Sequence, residues 1–199
     1  MSMTDIEVVI LAGGRGRRLG GVVKPLIRHP DGQTLIERVL SEVGTEVAAV
    51  TVFAPRDLHS ALAKVVDPQR LAVDPGEGPH RAMALAAAQS TAPWMALMAA
   101  DLIQPRRSLV SALCAHRTAS CDVVVPHLEG HDQPLSALYR CSAIRAVDVA
   151  PIRSMRDWLA ALQTVRLSLE AGDSRVADID TLDDLKQHRL QMPAKDHQN

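Results

Sequence analysis

Aromatic side chains are scarce in this chain: Phe53, Trp94, Tyr139 and Trp158 make up 2% of its 199 residues. So few flat rings exclude a protein that holds single-stranded nucleic acid by stacking bases. Charge imbalance is lacking too, with 22 Lys and Arg against 23 Asp and Glu and a formal net charge of -1. A chain that coats nucleic acid or an anionic membrane needs a basic excess, so neither partner is expected. Cysteine is limited to Cys114, Cys121 and Cys141, an odd set without metal-site spacing. Long apolar runs are missing: even "APWMALMAA" falls well short of the roughly 18 residues of a membrane span. The opening "MSMTDIE" is polar and does not read as a signal peptide. These absences predict a cytoplasmic protein with reduced thiols; they leave its oligomeric state, monomer or weak homo-oligomer, open.

What is present is ample core material. Hydrophobic residues make up 47% of the chain, and the length fits one domain over 1–199, with residues 190–199 as a frayed tail. Strand-like and helix-like segments alternate. Glu7–Leu11 reads as a first strand, Val47–Phe53 as a second, Leu71–Val73 as a third and Trp94–Ala99 as a fourth buried on both faces. Helices are expected over Thr34–Val43 (with a Thr34–Glu37 capping box), Asp57–Val66, Arg81–Gln89 and Ser108–Arg117. Beyond them come strands at Asp122–Val125 and Leu135–Tyr139, helices near Ile144–Val149 and Arg156–Thr164, a last strand at Arg175–Ile179 and a last helix at Leu182–Arg189. Such alternation predicts an α/β fold, a three-layer Rossmann-like arrangement with a mostly parallel sheet. Ligands in such sheets sit beyond the carboxyl ends of the strands. His127 and His131 have zinc-like spacing, but Pro126 and Gly130 make them loop histidines.

The densest chemistry follows the first strand. "VVILAGGRGRRLGGVVKPLI", residues 8–27, holds five glycines, three arginines and a lysine. Glycines let backbone approach a ligand closely, and the cations point to an anion. Two standard phosphate loops fail on spacing. Gly16 and Gly21 are separated as in a Walker A loop, but Val22 stands where its lysine belongs. A dinucleotide fingerprint starting at Gly14 and Gly16 would put Leu19 at its third glycine.

The remaining pattern resembles the molybdenum-cofactor guanylyltransferase type of nucleotidyltransferase, whose signature runs close to LAGGxSxRMGGxDKxL. Leu11-Ala12-Gly13-Gly14, Arg18, Gly20-Gly21, Lys24 and Leu26 match in register. Asp101, which closes the apolar fourth strand, matches the family's metal-binding aspartate. "GHDQPLSALYR" resembles its substrate-side segment, and "DIDTLDDL" at 178–185 its terminal motif. The resemblance implies a nucleotidyltransferase fold and transfer of a nucleoside monophosphate from an NTP to an acceptor phosphate, releasing pyrophosphate. GTP and a molybdopterin-type acceptor are the implied partners and Mg2+ the implied cofactor.

In that chemistry the acceptor phosphate is the nucleophile, so the protein positions groups and stabilises charge. Backbone N–H groups from Ala12 to Gly16 would wrap the triphosphate, with Leu11 beside them. Arg18 offers a planar fork, Lys24 a compact charge near the α-phosphate. Asp101 would hold Mg2+, with Asp180 second and Asp178 a less direct candidate. The loop "DPGEGP" adds Asp74, Gly78 and Pro79 as nucleotide contacts. His80 and Arg81 either face a substrate or merely start a helix.

Several family positions differ. Val23 replaces the acid before the lysine, and the asparagine after the second strand has no counterpart in "VFAPRD". The family's G-P-L-A-G continues here as His80-Arg81-Ala82, D-x-P becomes Asp101-Leu102-Ile103, and Leu182 replaces the proline of the terminal motif. A cytidylyl- or sugar-1-phosphate nucleotidyltransferase, or a nucleotide-binding member without catalysis, therefore stays open beside the guanylyl reading.

Overall fold

A computed structural model of the chain describes residues 3–14, 16–43 and 46–193, Arg17 by its backbone alone. The first half builds β1 (Ile6–Leu11), α1 (Leu35–Val43), β2 (Ala49–Ala54), α2 (His59–Leu62), β3 (Leu71–Val73), α3 (Pro79–Gln89) and β4 (Trp94–Ala99). The second half adds α4 (Arg107–Ala115), β5 (Val123–Leu128), β6 (His131–Asp132), β7 (Leu138–Arg140), α5 (Cys141–Ala146), α6 (Met155–Ala161), β8 (Thr164–Ser168) and α7 (Leu182–Gln187).

One eight-stranded sheet runs in the order β3-β2-β1-β4-β7-β5-β6, with β8 on β5. The β1–β2, β1–β4, β2–β3 and β5–β8 pairs are parallel, while β7 runs antiparallel to β4 and β5. Alternation along β1 sorts its side chains to two faces. Val8 and Ile10 join a core with Ile36 and Val39 of α1 and Leu109 and Leu113 of α4. Val9 faces the other way, into a core with Met83 of α3, Ile144 of α5 and Trp158 of α6. Helices therefore cover both faces of the sheet, giving the expected three layers. All six residues of β4 are buried, as expected for a strand covered on both sides.

Local signals set several boundaries. At α1 the expected capping box forms: the Glu37 amide donates to Thr34 Oγ1 (3.3 Å) and the Thr34 amide to Glu37 Oε2 (2.8 Å). A second box, between Thr181 and Asp184, starts α7. Elsewhere the sequence misleads. Residues 175–179 form no strand: a 3-10 turn spans Ser174–Val176, and Asp178 makes only an isolated bridge to Leu102. The outer strand is β8, which begins at Thr164, where a helix end was expected. There the Thr164 hydroxyl donates to the carbonyls of Leu159 and Leu162, closing α6 so that the alternating "TVRLS" can extend. His127 and His131 lie on β5 and β6 rather than in a loop; His127 Nδ1 bonds Asp132 at 2.7 Å and His131 is exposed. Gln191 exchanges backbone bonds of 2.8 and 2.9 Å with Arg28, so order reaches into the expected tail. Residues 194–199 lie outside the described residues.

Among the described residues no helix is long and apolar enough to cross a membrane. All three cysteines are free and buried.

Candidate active site

The chain leaves β1 toward β2 on one side, and β4 later lies on the other, so the β1–β4 seam is a topological switch point. Leu11 and Ala99 are paired neighbours there, and the Ala100 amide donates to Leu11 O at 3.0 Å. The glycine loop and Asp101 thus begin side by side. A cleft of roughly 880 Å3 opens above them.

Leu11, Gly13, Gly14 and Gly16 line this cleft. Ala12 does not: its side chain is buried and its amide donates to Phe53 O at 2.8 Å, which corrects the expectation that the Ala12 N–H is free for phosphate. Two glycines stand close to other groups. A Cβ on Gly13 would stand 2.8 Å from Asp74 Oδ2, the end of a side chain that can turn aside. Gly16 has φ +46, and a Cβ there would fall 2.5 Å from Val22 O.

Lys24 lies at the cleft floor. It opens a 3-10 turn, Lys24–Leu26, whose Pro25 favours the tight geometry. Its ammonium donates to Asp101 Oδ2 at 3.0 Å and to Asp180 Oδ1 at 2.8 Å. The Lys24 side chain is 11% exposed, that of Asp101 17% and that of Asp180 52%. Burial works against the ammonium, but the bond to Asp180 and the charge of Asp101 outweigh it and hold the amine above its ordinary value. Arg18 lies at the rim, 79% exposed, with Nη1 3.8 Å from Asp180 Oδ2. Asp178 has an accessible surface but stands within the cleft. Displaced water there, and the carboxylates of Asp101 and Asp180, push its pKa up.

A small apolar cluster brings these segments together. Leu19 from the glycine loop, Ile27 after Lys24, Ile103 after Asp101 and Ile179 between the two distal aspartates pack with Leu35, Leu185 and Leu190. Ile179 is fully buried, which turns Asp178 and Asp180 outward on either side of it. The Leu102–Asp178 bridge and the Ile103 amide bond to Ala177 O (2.9 Å) fasten the Asp101 segment to the Asp180 segment.

The "DPGEGP" loop contributes Asp74, Gly76, Gly78 and Pro79 to the wall. Asp74 Oδ1 accepts from the Gly76 amide at 2.8 Å. His80 and Arg81 are not part of the wall: Arg81 Nη1 reaches Val149 O at 3.2 Å, and His80 O accepts from the Trp158 indole. Sequence reasoning missed Pro55, which stands where an asparagine was sought, and it left Gln133 to Ser136 as an unresolved substrate-side segment. A proline after β2 and the "QPLS" turn before β7 were the available signals.

Two carboxylates offering hard oxygen donors fit a hard dication. Among the described residues no three His, Cys, Asp or Glu side chains form a metal-holding group. A cation bound here would therefore take its other ligands from phosphate and water.

A glycine loop, a buried lysine and two carboxylates meet at a switch point, the arrangement expected of the nucleotidyltransferase class. The MobA-like NTP transferase domain family matches residues 8–166, and the chain belongs to that family. A molybdenum cofactor guanylyltransferase from Pseudomonas syringae pv. syringae is 30% identical over 184 residues, covering 88% of this chain and 89% of the relative. The solved molybdopterin-guanine dinucleotide biosynthesis protein A of Archaeoglobus fulgidus matches with a TM-score of 0.73 at 22% identity, covering 92% of this chain and 96% of that one. A Mycobacterium tuberculosis protein solved in complex with manganese matches with a TM-score of 0.64 at 16% identity, over 92% and 96% of the two chains. The fold is of the α/β nucleotidyltransferase type.

Proposed function

We propose that this protein transfers GMP from GTP to the phosphate of a molybdopterin-type acceptor and releases pyrophosphate, with Mg2+ as its metal. The observation that carries the reading is the Lys24 ammonium between Asp101 and Asp180 on the floor of a glycine-lined cleft. Its family membership and the guanylyltransferase among its relatives support the choice of substrates. The same reading takes the chain as a single cytoplasmic domain that needs neither nucleic acid nor membrane.

The chain's groups divide the work. Backbone at Gly13, Gly14 and Gly16 accommodates the triphosphate, because none of these residues has a side chain to stand in the way. Lys24 brings a charge to the phosphate that is attacked, and Arg18 clamps phosphate oxygens at the rim. Charge stabilisation of this kind is worth about 3–4 kcal/mol of barrier per well-placed donor. Asp101 and Asp180 are the residues that would hold the metal, which supplies further positive charge beside the triphosphate when bound. Asp74, Gly78 and Pro79 form the wall offered to the nucleoside, and Gln133 to Ser136 the opposite wall offered to the acceptor.

Val23, where the signature carries an acid, favours a second reading: a nucleotide-binding protein that does not turn over. Against it, Lys24 already has two carboxylate partners from other parts of the chain and needs none from position 23. Equilibrium binding of each NTP, followed by turnover with the acceptor, separates the readings. Tight GTP binding without turnover supports the second, and a preference for CTP reassigns the base while leaving the roles of the loop intact.

A further inference from the structure

The Lys24 ammonium and a divalent cation compete for the same place. In this structure Nζ donates to Asp101 Oδ2 at 3.0 Å and Asp180 Oδ1 at 2.8 Å, so it lies between the two carboxylates that the functional reading assigns to the metal. A magnesium ion approaches its oxygen ligands to about 2.0–2.1 Å and keeps several waters. An ammonium and a dication cannot both stand between one pair of carboxylates without a like-charge clash, felt most at the Lys24 and Asp101 side chains, which are 11% and 17% exposed. A metal seated between those two oxygens would displace the lysine.

The lysine has somewhere to go only when phosphate is present. Its stem lies along the glycine loop: the Cβ position of Gly14 is 3.6 Å from Lys24 Cδ, and that of Gly16 is 3.4 Å from Lys24 Cγ. Gly14, Gly16 and Lys24 line the same cleft, so an anion held against the loop would lie beside that stem. Without an anion there, the move would leave a largely buried ammonium unpaired, which costs several-fold more than a surface charge rearrangement. With a triphosphate there, the ammonium exchanges carboxylate partners for phosphate partners.

We propose that Lys24 is a built-in counter-ion that closes the metal site until a triphosphate draws it away. Metal affinity is then low in the free protein and rises on nucleotide binding, and by linkage the metal strengthens nucleotide binding in return. This inference rests on the assignment of Asp101 and Asp180 as metal ligands. Its test needs neither acceptor nor turnover, so it stands apart from failure of the proposed activity.

The probe is Mn2+ alone, its binding read from loss of the free-ion electron paramagnetic resonance signal, in full-length protein without nucleotide. Lys24→Met is expected to bind Mn2+ at least tenfold more tightly than the unmodified protein. Arg18→Met removes an equal charge from an exposed position 3.8 Å from Asp180 and is expected to change Mn2+ affinity by less than threefold. Equal affinity in the unmodified protein and Lys24→Met overturns the proposal, as does the same gain in Arg18→Met. The unmodified protein gives a parallel readout should Lys24→Met fail to fold. Its Lys24 15N ammonium resonance should shift on adding inorganic triphosphate without metal and stay in place with Mg2+ alone. A shift with Mg2+ alone, or none with triphosphate, overturns it equally.

Discussion

Replacing Gly16 by alanine, with Gly20→Ala as its partner, separates backbone conformation from crowding. Both glycines have positive φ, +46 at Gly16 and +76 at Gly20. An alanine at either pays the left-handed backbone cost of about 1–2 kcal/mol. At Gly20 nothing lies within 4 Å of the new Cβ, so the cost stops there. At Gly16 the Cβ meets Val22 O at 2.5 Å and Val22 Cγ1 at 3.1 Å, and a backbone oxygen has no rotamer by which to yield. Overpacking of that kind adds about 1–3 kcal/mol. The expected loss is therefore roughly 2–5 kcal/mol for Gly16→Ala and 1–2 kcal/mol for Gly20→Ala. In a chain of this size each kcal/mol lowers Tm by about 2–4 °C. Urea unfolding of the two variants measures the difference directly. GTP affinity should fall as well in Gly16→Ala, because the new methyl also stands 3.4 Å from Lys24 Cγ. Equal stability of the two variants would refute the crowding argument, and unchanged GTP affinity in Gly16→Ala would refute the placement of Lys24 against the loop.

Ile179→Ala opens a cavity in the cluster that fastens Asp101, Lys24 and Asp180 together. We expect a loss of about 2–5 kcal/mol by urea unfolding and weaker GTP binding by calorimetry; a stable variant with normal affinity would contradict the role given to that cluster. Asp178→Asn tests the carboxylate crowding. A raised carboxyl pKa favours the folded state below the ordinary value of 3.8, and that contribution is lost as pH rises through the folded value. Removing the charge should therefore raise Tm at pH 7 and leave it nearly unchanged at pH 3, and an equal shift at both would count against it. Lys24 carries the opposite kind of charge with a pKa raised above 10.5. Its stabilisation should be complete below that value and disappear as pH climbs through the folded one, so that Lys24→Met flattens the alkaline end of the Tm profile.

The glycine loop was legible in the sequence because its constraints are local. Gly13 and Gly16 answer to atoms that crowd the loop, and the register from Leu11 to Leu26 preserves them. Asp101 was legible because six apolar residues of β4 end almost directly in an acid. Asp180 came through resemblance alone. Its partner Lys24 is 156 residues away in sequence, and the Leu102–Asp178 bridge that joins the two regions has no local signature. That same bridge explains the misplaced last strand: "RVADI" has strand-like composition, but its pairing stops at the single Leu102–Asp178 bridge and the Ile103 amide bond to Ala177 O. The wall from Gln133 to Ser136 follows from β7 inserting antiparallel between β4 and β5, a choice made by packing across the sheet.

The central claim is that the Lys24, Asp101 and Asp180 cluster makes this protein a GTP-dependent nucleotidyltransferase. Pyrophosphate release is the direct measure, with GTP, Mg2+ and a molybdopterin-type acceptor, compared between the unmodified protein and Asp101→Ala. Release that requires the acceptor, and falls at least a hundredfold in Asp101→Ala while the fold is kept, is the result predicted. No release with any nucleoside triphosphate, or release indifferent to Asp101, would contradict it.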